Sequence, residues 1–472
     1  MSLSRRTFLA MTGSIAAVGA VAPQHAASAD QARRLRLTAR LSRAHLLEAG
    51  QPETAVWAYD GSVPGPTLHL RQGESIEAQL INQLPQPTTI HWHGLRIDNS
   101  MDGVAGLTQP AVQPGKTYSY RFAPPDAGTF WYHPHYRTWE QLARGLYGVL
   151  IVQEASPPAV DQDLIVVFDD WRIGENGQID EASFDSMHDI SHAGRLGNIL
   201  TLNGKFSQDF EVLSGQRLRL RLLNAATARV VSVRFADHAP LVIALDGQPV
   251  SRPFAPRGNT ILLAPAQRAD LILDCDGEPG QTSSIEVDVG RETLVAGRLV
   301  YGTQRRQRAN TLSEFPVLPA NPMPTDINPD DASPVDLVMT GGARAPFPSA
   351  VYQGENLSIR ELVRRHKKAW AFNGVVGFPD KPLAVFANGK TAVIKMVNRT
   401  AWPHAMHFHG HHVREIQHSA REPSPHWRDT IFMRPDETVT VAFNAHNPGR
   451  WMLHCHMLGH QRGGMSTWYE VG

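Results

Sequence analysis

Three ten-residue segments of this chain share one pattern. A glycine opens each, apolar residues alternate behind it, and an asparagine closes it: Gly73-Glu74-Ser75-Ile76-Glu77-Ala78-Gln79-Leu80-Ile81-Asn82, then Gly215 to Asn224, then Gly389 to Asn398. A period of two marks a strand that buries one face. Its recurrence at matched offsets points to one β unit used three times. Elsewhere short alternating runs are punctuated by Gly, Pro, Asn and Asp with no sustained helical period, so the expected fold class is all-β, with three Greek-key β-sandwich domains. The length of 472 residues suits three domains of ~150 once an export signal is set aside. The boundaries are read as a leader over 1–29, domain 1 over 30–155, domain 2 over 160–302, a Pro/Asn/Asp-rich linker over 303–334, and domain 3 over 335–472. A short helix is expected between Val351 and Lys368.

The same register separates the domains by chemistry. Nine and eleven residues after Asn82 stand His91 and His93, and at the same offsets after Asn398 stand His407 and His409; after Asn224 the positions hold Val233 and Phe235. Gly128 precedes His133 by five residues as Gly449 precedes His454, so His133-Pro134-His135 corresponds to His454-Cys455-His456. Each His-x-His puts two imidazoles on one face of a strand. Eight imidazoles from domains 1 and 3 suit a metal cluster between them, because that many buried rings would otherwise need partners.

Cys455 faces away from His454 and His456 if the run is a strand, so one strand can feed two sites. A thiolate from Cys455, imidazoles from His460 and from His404 (three residues before His407), and a thioether from Met465 make the His₂Cys set with weak axial Met of a blue copper centre. Domain 1 holds Thr88 and Trp139 at the positions of His404 and His460, so domain 3 alone can build it.

Charge and targeting narrow the function class. Lys+Arg and Asp+Glu balance at 45 each, which leaves no global basic surface for nucleic acid or anionic lipid, whereas 22 histidines point to metal. Of two cysteines, Cys275 reads as a buried small hydrophobe rather than a partner for Cys455. Ser4-Arg5-Arg6-Thr7-Phe8-Leu9 carries paired arginines, an apolar run follows to Ala22, and Ala27-Ser28-Ala29 offers a cleavage site. That is a twin-arginine export signal, with a run shorter than the ~20 residues of a membrane anchor. The mature chain is expected in the periplasm or otherwise exported, as a monomer, without a membrane anchor.

His91-Trp92-His93-Gly94, His133-Pro134-His135, His404-Ala405-Met406-His407-Phe408-His409 and the run from His454 to Met465 together resemble a three-domain bacterial multicopper oxidase of the laccase-like family, over essentially the whole mature length. The resemblance implies three cupredoxin-like domains and four coppers per chain. Type 1 copper would take His404, Cys455, His460 and Met465; type 2 would take His91 and His407; the type 3 pair would take His93, His133, His135, His409, His454 and His456. It further implies one-electron oxidation of a small reducing substrate at type 1 copper, transfer through Cys455 and its neighbours His454 and His456, and reduction of O₂ to two waters. Asp102, eleven residues after His91, matches a carboxylate placed beside the cluster and is assigned to proton delivery. Gln461 stands where many bacterial relatives have a proton-relaying glutamate, and an amide cannot relay; either Glu140 or ordered water compensates, or turnover is slow.

The favoured substrates are phenols or aromatic amines. A Cu(I), Mn(II) or Fe(II) oxidase is the alternative: the linker has one methionine, Met323, against a copper-detoxification role, while Glu415, Glu422 and Asp429 could attract metal ions near type 1 copper. A copper-free envelope scaffold and a copper store without turnover are further readings; the complete ligand set opposes the first, and the residues surrounding the cluster, superfluous for storage, oppose the second. His411, His412, His418 and His426 read as surface or outer residues, and His188 and His192 as a solvated loop near Met187.

Overall fold

The alternating segments do form strands, and each is laid into its sheet in the same way. In this computed structural model, which describes residues 32–290, 292–307 and 315–472, strand Ile76–Asn82 runs parallel to Arg33–Ala44 and antiparallel to Thr117–Phe122. Arg217–Asn224 runs parallel to Gln162–Trp171 and antiparallel to Arg268–Asp274. Thr391–Asn398 runs parallel to Val335–Gly341 and antiparallel to Thr438–Asn444. The leader read over 1–29 lies outside the described residues, as does part of the 303–334 segment.

Each of these sheets packs on a second. Strands drawn from Arg33 to Gln153 form two four-stranded sheets around Leu37, Tyr59, Leu80, Trp92, Phe130 and Leu150. Those from Gln162 to Arg305 form a six- and a five-stranded sheet, with Val233 and Phe235 inside, where the other two sandwiches carry histidines. From Val335 to Val471 come two five-stranded sheets and a small hairpin; Cys455, Met465 and Trp451 lie in that core. The expected short helix is Ile359–Glu361 continuing through Leu362–His366, with Ser358 and Glu361 capping each other's backbone. No helix among the described residues is long and apolar enough to cross a membrane.

The closing asparagine has a physical role. Asn82 donates its amide protons to the carbonyls of Gln86 and Val112 while its Oδ1 accepts from Leu84 N–H. Asn224 does the same with Arg229, Leu263 and Ala226, and Asn398 with Trp402, Arg434 and Thr400. One buried side chain thus fixes the chain reversal after the strand, since its carboxamide satisfies three backbone groups that no ladder reaches. In the first and third sandwiches that reversal leads directly to the histidine strand.

Candidate metal centre

Strand pairing sets the histidine register. His91–His93 pairs with Gly128–His133, placing His91 opposite His133, and His404–Phe408 pairs with Gly449–Cys455, placing His407 opposite His454 and Met406 opposite Cys455. The two histidine layers then meet. The rings of His93 and His407 stack at 3.7 Å between centroids, and those of His91 and His409 lie at 4.0 Å. All eight are buried.

Their nitrogens converge in triads: His93, His133 and His456; His135, His409 and His454; His91, His93 and His407. Within the first two triads, nitrogens of neighbouring rings stand 3.2 to 3.4 Å apart. That is about the separation of two nitrogens each ~2.0 Å from a shared metal. His91 and His407 bury an Nε2 that has no hydrogen-bond partner, a costly arrangement unless a ligand completes it. Outward partners fix the tautomers. The Nδ1–H of His91 donates to Asp102 O, that of His133 to Pro134 O, that of His407 to Asp429 O and that of His454 to Cys455 O, leaving each Nε2 lone pair inward. The Nδ1–H of His409 donates to the Asp102 carboxylate at 2.9 Å. Burial, reinforced by repulsion from neighbouring rings, depresses His133, His135, His407, His409 and His456 well below the usual range, so these five are neutral donors.

Across the strand lies a different donor set. The Sγ of Cys455 stands 3.7 Å from Nδ1 of both His404 and His460, whose Nδ1 atoms are 3.0 Å apart. Met465 is buried in the same core cluster, and its carbonyl accepts from Cys455 N–H. A chain of bonds from the repeat's closing residue aims His404: Asn398 Oδ1 accepts from the Thr400 hydroxyl at 2.8 Å, which accepts from His404 Nε2–H at 2.8 Å. His460 Nε2–H donates to the backbone oxygen of His192 at 2.6 Å. Burial pushes the Cys455 thiol up to about 12. It therefore ionises only against a cation placed beside it, as a soft metal would be. Two imidazoles, one thiolate and a thioether fit copper by chemistry, and the imidazole triads fit it by geometry.

Several residues fall where spacing did not place them. Asp429, expected near the Cys455 site, is buried at the imidazole triads. Burial alone would raise its carboxyl, but Arg268 and then His407 hold it well below the usual carboxylate range. Arg268 reaches it from the second sandwich with bonds of 3.0 and 2.6 Å, and donates also to Ala266 O and Thr129 O. The glycine that follows His93 serves this pair. Gly94 has φ +85°, and a Cβ there would sit 2.5 Å from Arg268 Nη2 and 2.6 Å from Asp429 Oδ2. Glu140 is committed to Arg137 and Arg144, at 2.7 and 3.0 Å, rather than placed to relay protons. Glu415 is held by Arg421. Of the two readings given for His411 and His412, surface or outer to the ligands, the structure fits the second: both are buried beside the triads and bond to Tyr469 and to Asp246 O. His404 and His460 are fully buried. Arg268 and the His192 carbonyl carried no legible signal, since their partners Asp429 and His460 are distant in the chain, and Thr400, although only four residues from His404, stands in no motif.

Replacing Arg268 by leucine would leave the Asp429 charge buried and unpaired. The expected cost is about 3 to 5 kcal/mol, read as a lower denaturation midpoint of the metal-free protein; a loss under about 1 kcal/mol would refute the pair's role.

Comparison with known proteins agrees with this geometry. Sequence models of multicopper oxidase domains match residues 41–157, 162–296 and 353–472. The chain is 27% identical to multicopper oxidase MmcO of Mycobacterium tuberculosis over 89% of its own length and 84% of that protein's. Among solved structures it is similar to a multi-copper oxidase from Pseudomonas thermotolerans, with TM-score 0.81 and 29% identity over 93% of this chain and 99% of that one. It is also similar to Lac15 from a marine microbial metagenome, with TM-score 0.73 and 37% identity over 93% and 100%. The sandwiches are cupredoxin-like, and three matched stretches in chain order surround one shared imidazole site. The chain therefore belongs to the multicopper oxidase family and is a laccase-like oxidoreductase that couples one-electron oxidation of a reducing substrate to the reduction of O₂ to water.

Proposed function

We propose that the chain holds four coppers and oxidises phenols or aromatic amines. His404, Cys455, His460 and Met465 would hold type 1 copper; His91 and His407 would hold type 2; His93, His133 and His456, with His135, His409 and His454, would hold the type 3 pair. The observation that carries this reading is the single strand Gly449–Cys455 leading into His456, which presents a thiolate to one donor set and its flanking imidazoles to the other. Bound there, copper supplies reversible one-electron chemistry at the thiolate and four-electron reduction of O₂ among the imidazoles.

The chain's own groups orient and insulate. Carbonyls hold the ring tautomers, Thr400 and His192 fix the two type 1 imidazoles, and burial shields both sites from bulk water. Asp102, whose carboxylate accepts from His409 and lies 3.2 Å from His91 Nδ1, would take up and release the protons that O₂ reduction consumes. Gln461, half-buried with an Oε1 that lacks a partner among the described residues, positions no proton. Organic donors are favoured over metal ions because Glu415 and Asp429, two of the three carboxylates that could attract metal ions, are engaged by arginines. The paired-arginine leader supports twin-arginine export to the periplasm, and the matched offsets support domains at 30–155, 160–302 and 335–472 with a linker between the last two.

Copper loading of the purified mature chain, visible spectroscopy and O₂ uptake with a phenol, Cu(I) and Mn(II) in turn test the reading. A blue band with phenol-driven uptake is expected. Uptake driven by Cu(I) or Mn(II) and not by phenol would replace the substrate; colour without uptake would make the chain a copper store, and no blue band a scaffold.

A further inference from the structure

Both imidazoles of the thiolate set are sealed off. His404 Nε2–H is taken by Thr400 and His460 Nε2–H by the backbone of His192, and neither ring reaches solvent. A donor molecule therefore cannot hydrogen-bond to either ring. The seal is a segment of the second sandwich, the turn Met187–Ser191 and the residues after it, laid across the helix Leu458–Arg462. Gly459 in that helix and Gly463 capping its end permit the close approach. A Cβ at Gly463 would meet Trp370 Cδ1 at 2.6 Å and Ile190 Cγ2 at 2.8 Å, and one at Gly459 would stand 3.3 Å from Asp189 O. Trp370 Nε1–H donates to Ile190 O, and Ala343 N–H to Ser191 O, so the third sandwich holds the segment down.

The outer side of the seal is aromatic and cationic. The His192 ring stacks on exposed His188 at 4.1 Å and 14°, and meets Trp402 edge-on at 5.3 Å. The exposed Arg344 lies over the Trp402 ring at 5.4 Å. Trp402 is two residues from His404, and the His192 carbonyl is bonded to His460, so this surface touches both ligand rings' supports without exposing either.

We propose that this platform is where donors deliver electrons, and that it prefers planar aromatics carrying a negative charge, stacked against His188, His192 and Trp402 beside Arg344. The proposal rests on the aromatic-donor reading above and narrows it. Each donor loses one electron and, if phenolic, its hydroxyl proton; four such losses balance the reduction of one O₂ with four protons to two waters.

The test titrates the holoenzyme with naphthalene-2-sulfonate, a planar anion it does not oxidise, by calorimetry while the visible spectrum is recorded. Binding is expected to weaken about fivefold in Arg344→Glu, since an exposed attraction becomes a repulsion, and about threefold or more in His188→Ala, an exposed position whose loss does not threaten folding. The thiolate band should stay in place on binding, because nothing touches the ligands. The ratio of kcat/KM for a carboxylated over an uncharged phenol should also fall about fivefold in Arg344→Glu. A band shift on binding, or undiminished affinity in both variants, would overturn the platform while leaving phenol oxidation standing. A wild-type enzyme that oxidises metal ions and neither phenol would overturn the platform together with the reading beneath it.

Discussion

Cys455→Ser should abolish the blue absorbance and substrate oxidation while leaving the fold and the imidazole triads intact. Serine is nearly isosteric, and the backbone around position 455 is fixed independently of the side chain: Cys455 N–H donates to Met465 O, and His456 N–H donates to Ala405 O. What changes is the donor. A hydroxyl does not ionise beside a soft metal as a thiol does, so the His404 and His460 nitrogens lose the anionic partner now 3.7 Å away. Loss of an outer hydrogen bond to a metal ligand costs ~10–100-fold, and loss of the thiolate itself should exceed that, taking turnover to background. Copper content should fall by one ion per chain, with the remainder retained by the imidazole triads. A serine variant that keeps the blue band, or that loses all its copper, would separate the two donor sets from the strand proposed to join them.

The legible part of this molecule is the part written in local spacing. Period-two alternation gives away each repeat strand, and the offsets from Asn82, Asn224 and Asn398 place His91, Val233 and His407 at equivalent positions, which the structure puts in the imidazole cluster, a hydrophobic core and the imidazole cluster. The illegible part depends on what covers the other face. Arg217-Leu218-Arg219-Leu220-Arg221-Leu222 alternates like a half-exposed strand, yet every residue of Arg217–Asn224 is buried. Arg219 pairs with Glu154 and Asp270, and Arg221 with Asp163 and Thr129, because the first sandwich packs on that face. The same holds for Asp429, His411, His412 and the His192 carbonyl, whose environments are set by segments tens to hundreds of residues away. Composition marks such groups as polar and therefore reads them as outer. Only the packing of one sandwich on another makes them inner.

Asp102 separates holding a ring from moving a proton. Its carboxylate accepts from His409 Nδ1–H at 2.9 Å, and its backbone oxygen accepts from His91 Nδ1–H at 2.8 Å. The loop that carries it is tied to the third sandwich, where Asn99 donates to Arg450 O and accepts from Arg450 N–H. Asp102→Asn keeps an oxygen that can accept from His409 but cannot take and release a proton. It should retain copper and the blue band yet lose about 10²–10⁴-fold in O₂ uptake, the usual contribution of a positioned acid–base group. Asp102→Ala also strips His409 of its acceptor, leaving a buried N–H unsatisfied at about 1–3 kcal/mol. It should show the same loss of uptake together with weaker copper retention by His135, His409 and His454, again with the blue band kept, because the Cys455 set lies on the other face of the strand. Wild-type uptake in Asp102→Asn would end the proton role. Unchanged copper retention in Asp102→Ala would end the positioning role, and the two outcomes are independent because the backbone oxygen that holds His91 survives both substitutions.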